Sequence, residues 1–189
     1  MFEPITKRHV LISGFTQTVA QPTGIEKLWL AMRKHEARSC RVSMLEWDND
    51  WSGFAEHAIR TANGKVRELD LRCYAYSWGC GYGFMQMCRE LRRRGARVSR
   101  AVLCDPVYHS ARTPWRAVFS PFWTPKICVP DNVGEVWYFR QNQNKPAGHE
   151  VIARSCETKI NPPVWLQCEH AYADDAPEFH ELALEVAAA

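Results

Sequence analysis

One short segment holds residues whose types and spacing fit nucleophilic chemistry. Ser77 has a small residue two positions before it, Ala75, and another two positions after it, Gly79. A serine on a strained turn between a strand and a helix needs such neighbours, because larger side chains would collide where the two elements approach. The pattern therefore predicts that Ser77 is a nucleophile. A glycine-rich turn without chemistry is the alternative interpretation.

The segments around Ser77 must supply that strand and that helix. An apolar-leaning run predicts a strand from about Val66 to Tyr76, and Phe84, Met87 and Leu91 then recur at helical spacing. The last helix is expected to begin with a capping box at residues 175–178. Similar patterns predict further strands at residues 9–13, 41–47, 98–104, 133–139 and 164–168, and further helices from residue 24 and over residues 54–62.

This alternation of strands and amphipathic helices predicts an α/β fold. We expect a three-layer α/β/α sandwich with a mostly parallel sheet of about five to six strands, formed by a single domain over residues 1–189. Ligands of such open sheets bind beyond the carboxyl ends of the strands. Ser77, Asp105 and His170 follow predicted strands, so a serine, a carboxylate and an imidazole are expected to meet at this edge.

The sequence around Ser77 and the chain order Ser, Asp, His resemble the α/β-hydrolase superfamily, and within it the small serine esterases of the lipase and cutinase kind. The resemblance extends over nearly the whole chain and implies a minimal α/β-hydrolase fold. It implies cleavage of carboxylic esters without a metal or a cofactor. It also implies that Ser77 is the nucleophile, His170 the base and Asp105 the acid of a catalytic triad.

The same resemblance implies an oxyanion hole and a substrate surface. The backbone N–H groups of Phe15 and Trp78 would stabilise the negative oxygen, although Ser13-Gly14 replaces the His-Gly that is frequent in the family. The Pro-rich aromatic segment 107–133 is either an acyl-binding wall or lid, or a hydrophobic loop packed on the sheet. The predicted substrate-binding residues are Thr16, Tyr76, Trp115, Phe119, Phe122 and Trp123.

The acid and the base each have rivals. Most α/β hydrolases place the acid after the next strand, but the loop there, residues 140–145, contains no carboxylate. Asp105 precedes a proline, as in the pancreatic-lipase branch, and a turn-capping aspartate is the alternative. His149 comes early for the base and His180 lies within the last helix, whereas His170 directly follows the last predicted strand.

Composition limits the partners. The net charge of +3 is too small to indicate a nucleic-acid partner by itself, and no apolar run reaches the length that spans a membrane. The eight cysteines include no C-x-x-C pair, and the N-terminus has no signal-peptide pattern. We therefore expect reduced thiols, no metal site, a cytoplasmic location and a small-molecule or lipid ester substrate. Contact with a membrane surface and the oligomeric state stay open.

Two other functions fit the same residues. A non-catalytic protein with an α/β-hydrolase fold could bind a ligand at this edge, and the departures at residues 13–14 and 140–145 favour it. A thiol enzyme is the third alternative, because Cys80 lies at the same predicted helix N-terminus, where the pKa of a thiol can fall.

Overall fold

The main sheet of the computed structural model is parallel in every one of its strand pairs. The structure describes residues 3–15, 23–34, 39–110, 112, 122 and 124–189. The strands are β1 Lys7–Ile12, β2 Cys40–Leu45, β3 Asp70–Tyr76, β4 Val98–Cys104, β5 Ile127–Val129, β6 Val133–Arg140, β7 Val151–Ala153, β8 Lys159–Ile160 and β9 Val164–Trp165. The main sheet has the order β2-β1-β3-β4-β6-β8, with β9 also paired to β6, and a separate two-stranded sheet joins β5 to β7.

Helices cover both faces of this sheet. The α-helices are α1 Gly24–Arg33, α2 Trp51–Thr61, α3 Met85–Arg93 and α4 Pro177–Ala188. Buried residues of α2 and α3 share one hydrophobic core with the sheet, and those of α1 and α4 share the other. The predicted α/β fold is therefore confirmed. In the described segments, every helix is too short or too polar to span a lipid bilayer.

The predicted elements differ from the observed ones in three places. The strand before Ser77 is shorter than expected, because residues 66–68 form a 3-10 turn. Among the described residues, the main sheet has seven strands, and two of them, β8 and β9, are two-residue strands that both pair with β6. The capping box predicted at residues 175–178 is wrong: Ala176 caps α4 without a side-chain hydrogen bond, and the carboxylate of Asp175 pairs with Lys27 Nζ at 2.7 Å.

The chain changes direction sharply after the central strand. Six of the seven residues of β3 are buried, as expected for a parallel strand that is covered on both faces. Ser77 follows with a φ of 53°, in the left-handed region that L-residues with a side chain seldom adopt. A π-helical turn, Gly79–Phe84, then leads into α3. The predicted strand–turn–helix arrangement around Ser77 is present.

Gly79 allows this turn to pack against the end of β1. A Cβ atom at position 79 would lie 2.5 Å from the carbonyl oxygen of Ser13 and 2.7 Å from that of Ile12. Both oxygens belong to the backbone, so they cannot rotate away as a flexible side chain would. Close packing therefore requires a small residue two positions after the serine, as the sequence pattern indicated.

Replacing Gly79 by alanine should lower the free energy of unfolding by more than about 2 kcal/mol, because the new methyl group overpacks a rigid site. Urea denaturation measures this loss. Gly64→Ala is the matched control: its φ is 72° and no atom lies within 4 Å of the added Cβ. It should lose only about 1 kcal/mol from backbone strain. Equal losses in the two variants would contradict the packing explanation.

Candidate active site

Hydrogen bonds join three side chains at the carboxyl edge of the sheet. Ser77 follows β3, Asp105 follows β4, and His170 begins the 3-10 segment after β9. Ser77 Oγ lies 2.9 Å from His170 Nε2, and His170 Nδ1 lies 2.5 Å from Asp105 Oδ2. The structure thus brings together the residues that the sequence suggested as nucleophile, base and acid.

The carboxylate determines how protons are placed along this chain of bonds. A carboxylate can only accept a hydrogen bond, so Nδ1 of His170 carries a proton and donates a hydrogen bond to Asp105. Nε2 is then an acceptor, and the hydroxyl of Ser77 donates to it. In this arrangement the imidazole is ready to take the serine proton, and the carboxylate is placed to stabilise the positive charge that the ring would gain.

The carboxyl group of Asp105 is completely buried and is held by Gln141 as well as by His170. The backbone N–H of Gln141 donates to Oδ1 at 3.1 Å, and its side-chain Nε2 donates to Oδ2 at 3.0 Å. A buried carboxylate needs such donors to replace its lost hydration. Sequence reasoning missed Gln141, and the available signal was its position near the start of the loop 140–145, which follows a predicted strand and lacks a carboxylate.

Gln141 also organises the loop that supports His170. Its Oε1 accepts the backbone N–H of Gln143 at 2.8 Å and that of Asn144 at 3.1 Å, and its Nε2 donates to the carbonyl of Pro146 at 2.8 Å. The side-chain oxygen of Asn144 in turn accepts the backbone N–H of His170 at 2.8 Å. One buried amide therefore positions both the carboxylate and, through Asn144, the backbone of the histidine.

Replacing Gln141 by methionine, a residue of similar size without hydrogen-bonding groups, should lower the free energy of unfolding by about 2–3 kcal/mol. The reason is that the carboxylate of Asp105 and the loop amides lose buried partners. Chemical denaturation measures the loss. Gln143→Met, at an exposed position of the same loop, should change stability by less than about 0.5 kcal/mol. A similar loss in both variants would contradict the role given to Gln141.

The predicted substrate-binding residues lie in different environments, and several of them are outside the described part of the chain. Tyr76 is buried, its hydroxyl donates to the carbonyl of His170 at 2.6 Å, and its ring stacks on the imidazole at 5.1 Å. Its described contacts therefore support His170 and do not form an open substrate wall. The side chain of Phe122 is almost fully exposed. The remaining predicted residues lie outside the described part of the chain: Thr16, Trp115, Phe119 and Trp123.

An aromatic stack links the two residues predicted to form the oxyanion hole. The ring of Phe15 stacks on that of Trp78 with centroids 4.1 Å apart, and Trp78 stacks on His109 at 4.0 Å. Trp47 packs edge-on against all three rings. The N–H groups of Cys80 and Gly81 donate to the carbonyl of Ser77, and the Trp78 N–H takes no part in these bonds. Sequence reasoning gave His109 no role.

The alternative candidates for the base and the nucleophile, His149, His180 and Cys80, make different contacts. His149 is buried, its Nδ1 accepts the backbone N–H of Tyr108 at 2.8 Å, and burial lowers its pKa to about 4. Nε2 of His180 donates to the carbonyl of Asp174 at 2.7 Å. Cys80 is completely buried, and burial raises the pKa of its thiol well above the usual value. The thiolate that a cysteine nucleophile needs is therefore disfavoured.

The buried His149 makes stability depend on pH. An unfolded histidine has a pKa near 6.5, above the folded value of about 4, so between these limits the unfolded chain binds more protons. The free energy of unfolding should therefore fall as the pH falls through this window. His149→Asn, whose amide oxygen can accept the Tyr108 N–H, should lose less stability over the same range.

Urea denaturation at several pH values from 7 to 4 measures this slope. His9 is also buried with a pKa of about 4, so the slope in His149→Asn should be smaller than in the wild type but not zero. His57 is exposed, and His57→Asn should change the slope less. An unchanged slope in His149→Asn would contradict the assignment of a neutral buried imidazole.

The α/β fold is similar to that of a solved thioesterase. Two solved structures of RedJ match, one of them described as a thioesterase from the prodiginine biosynthetic pathway in Streptomyces coelicolor. That structure has a TM-score of 0.52 and 11% identity over 98% of this chain and 93% of its own. The other, with a polyethylene glycol molecule bound in its active site, has a TM-score of 0.53 and 12% identity over 98% and 92%. At these identities the likeness establishes the fold alone.

A third structure, the Vlm2 thioesterase domain bound with a dodecadepsipeptide, has a TM-score of 0.45 and 12% identity over 98% of this chain and 94% of its own. No protein-family model matches the sequence, and no curated protein matches it.

Proposed function

We propose that this protein is a serine hydrolase that cleaves carboxylic esters through an acyl-serine intermediate. The observation that carries the proposal is the continuous series from Ser77 Oγ through the imidazole of His170 to Asp105, with distances of 2.9 and 2.5 Å. It lies at the sheet edge where α/β proteins bind ligands. The shared fold with thioesterases extends the proposed substrates to thioesters.

The backbone at Ser77 supports its assignment as the nucleophile. Its φ of 53° is a strained conformation for a residue with a side chain, and such strain occurs preferentially at functional sites. The turn is held by hydrogen bonds from Ser77 N–H to the carbonyl of Cys104 at 3.0 Å and from Val107 N–H to the carbonyl of Ser77 at 3.1 Å. The hydroxyl is thereby kept in contact with His170 and at the edge of the sheet.

In the first proposed step, Ser77 Oγ attacks the carbonyl carbon while Nε2 of His170 takes the serine proton. The carbonyl oxygen becomes negative and accepts hydrogen bonds from the N–H groups of Trp78 and Phe15, each worth roughly 3 kcal/mol in such sites. Asp105 keeps Nδ1–H oriented and stabilises the imidazolium. The tetrahedral intermediate then expels the alcohol or thiol, which leaves with the proton from His170, and the acyl group stays on Ser77.

Water completes the proposed cycle with the same groups. His170 takes a proton from water as the water oxygen attacks the acyl carbon, and Ser77 Oγ then leaves with that proton. The products are a carboxylic acid and the free serine. The contacts of Tyr76 and Asn144 with the backbone of His170 keep the imidazole in place for both half-reactions.

A fluorophosphonate probe, which labels activated serines, tests this proposal. The wild-type protein should be labelled, Ser77→Ala should not be, and His170→Ala should be labelled on the order of 10³-fold more slowly because the base is lost. Release of 4-nitrophenol from 4-nitrophenyl butyrate should follow the same order. Ser43→Ala, in β2 and away from the site, should behave as the wild type.

Circular dichroism must show that each variant is folded. A folded wild-type protein that is not labelled, and that hydrolyses neither 4-nitrophenyl butyrate nor a butyryl thioester, would contradict the proposed function. It would favour the alternative of a non-catalytic binding protein, because the fold alone does not establish an activity.

A further inference from the structure

An arginine-rich cavity of about 880 Å³ lies beside the turn that carries Ser77. Its described lining contains no aspartate or glutamate. It includes four arginines and three aromatic side chains: Arg89, Arg92, Arg112, Arg154, Tyr82, Tyr108 and His109. The volume lies within the range of small-molecule sites in proteins. The cavity was not predicted from the sequence, where Arg112 and Arg154 are far from each other and from Arg89 and Arg92.

One side of this cavity belongs to the same segment as the candidate nucleophile. Gly81 lines the cavity, and its N–H donates to the carbonyl of Ser77 at 3.2 Å. His109, another lining residue, stacks on Trp78. The cavity therefore adjoins the turn that directly follows Ser77. A substrate with its carbonyl at Ser77 would extend along this turn to reach the arginines.

Most of the positive charge around the cavity is not neutralised. Arg92 pairs with Asp131 at 2.7 Å. Within the described part of the chain, Arg89, Arg112 and Arg154 form no ion pair. Three guanidinium groups around one concave space raise the local positive potential and attract anions.

We propose that this cavity binds an anionic oxygen group, a phosphate or a carboxylate, that the ester substrate carries at a distance from its reacting carbonyl. Guanidinium groups present planar pairs of N–H donors that match the oxygens of both anions. The rings of Tyr82 and His109 offer surface to the part of the substrate between the carbonyl and the anion. The inference rests on the proposed function and narrows its substrate class to acidic esters.

Binding to three small esters tests the inference without requiring catalysis. 1-Butyrylglycerol is neutral. Its 3-phosphate carries an anion whose phosphorus is separated from the carbonyl carbon by five atoms, and 3-O-butyrylglycerate carries a carboxylate instead. Isothermal titration of the Ser77→Ala protein should show at least tenfold tighter binding of an anionic ester than of the neutral one. The order of the two anions identifies which oxygen group the cavity prefers.

Removing two of the cavity arginines, Arg89→Gln with Arg154→Gln in the Ser77→Ala protein, should abolish this preference. The matched control is Arg67→Gln with Arg97→Gln, which removes the same charge from exposed positions outside the cavity. It should retain at least half of the preference. Thermal unfolding verifies that both double variants are folded.

Equal affinity for the neutral and anionic esters would overturn the inference, as would a preference that persists in Arg89→Gln/Arg154→Gln. Failure of the proposed function gives a different result. If the protein binds the anionic esters preferentially, but is not labelled and hydrolyses none of the three, the anion site is supported and the hydrolase assignment is contradicted. If the wild-type protein hydrolyses all three esters with equal efficiency, and all three bind equally well, the hydrolase assignment is supported and the anion site is contradicted.

Discussion

The buried carboxyl group of Asp105 is the interaction on which the rest of the site depends. Because it has no exposure to water, hydrogen bonds must replace its hydration. Its donors come from Gln141, directly after β6, and from His170, after β9. β4 and β9 both pair with β6, so one carboxyl group connects the ends of three adjacent strands. The position of the imidazole is a consequence of this connection.

The serine side of the site is organised by close packing rather than by charge. Gly79 lies against the backbone at the end of β1, and the rings of Phe15, Trp78 and His109 form a continuous stack beside it. The two halves meet at the 2.9 Å contact between Ser77 Oγ and His170 Nε2. The arginine-rich cavity adjoins the aromatic stack. The part of the site that would bind the substrate's anionic group is therefore separate from the part that would transfer the proton.

Local patterns predicted much of this arrangement. The small residues around Ser77 and the buried strand before it are local features, and the structure has the strand, the turn and the helix that they indicate. The meeting of Asp105 and His170 with Ser77 followed from topology, because parallel strands place their carboxyl ends at one edge. The role of Gln141 was beyond such reasoning, since it depends on the register in which Cys104 pairs with Phe139.

Long-range contacts also explain what local patterns could not show. Asp175 was expected to cap α4, but its carboxylate pairs with Lys27, which is 148 residues away in the chain. The sequence also did not show that the hydroxyl of Tyr76, a predicted substrate contact, donates to the carbonyl of His170, which is 94 residues away in the chain.

The amide of Gln141 reaches Oδ2 of Asp105, the same oxygen that binds His170. Two neighbouring strand ends therefore converge on one point, although only one of them carries a charge. Glutamine and glutamate differ by a single group and by one base in their codons. Replacing Gln141 by glutamate would therefore place a second carboxyl group next to that of Asp105, at the end of the neighbouring strand, without any change in the sheet.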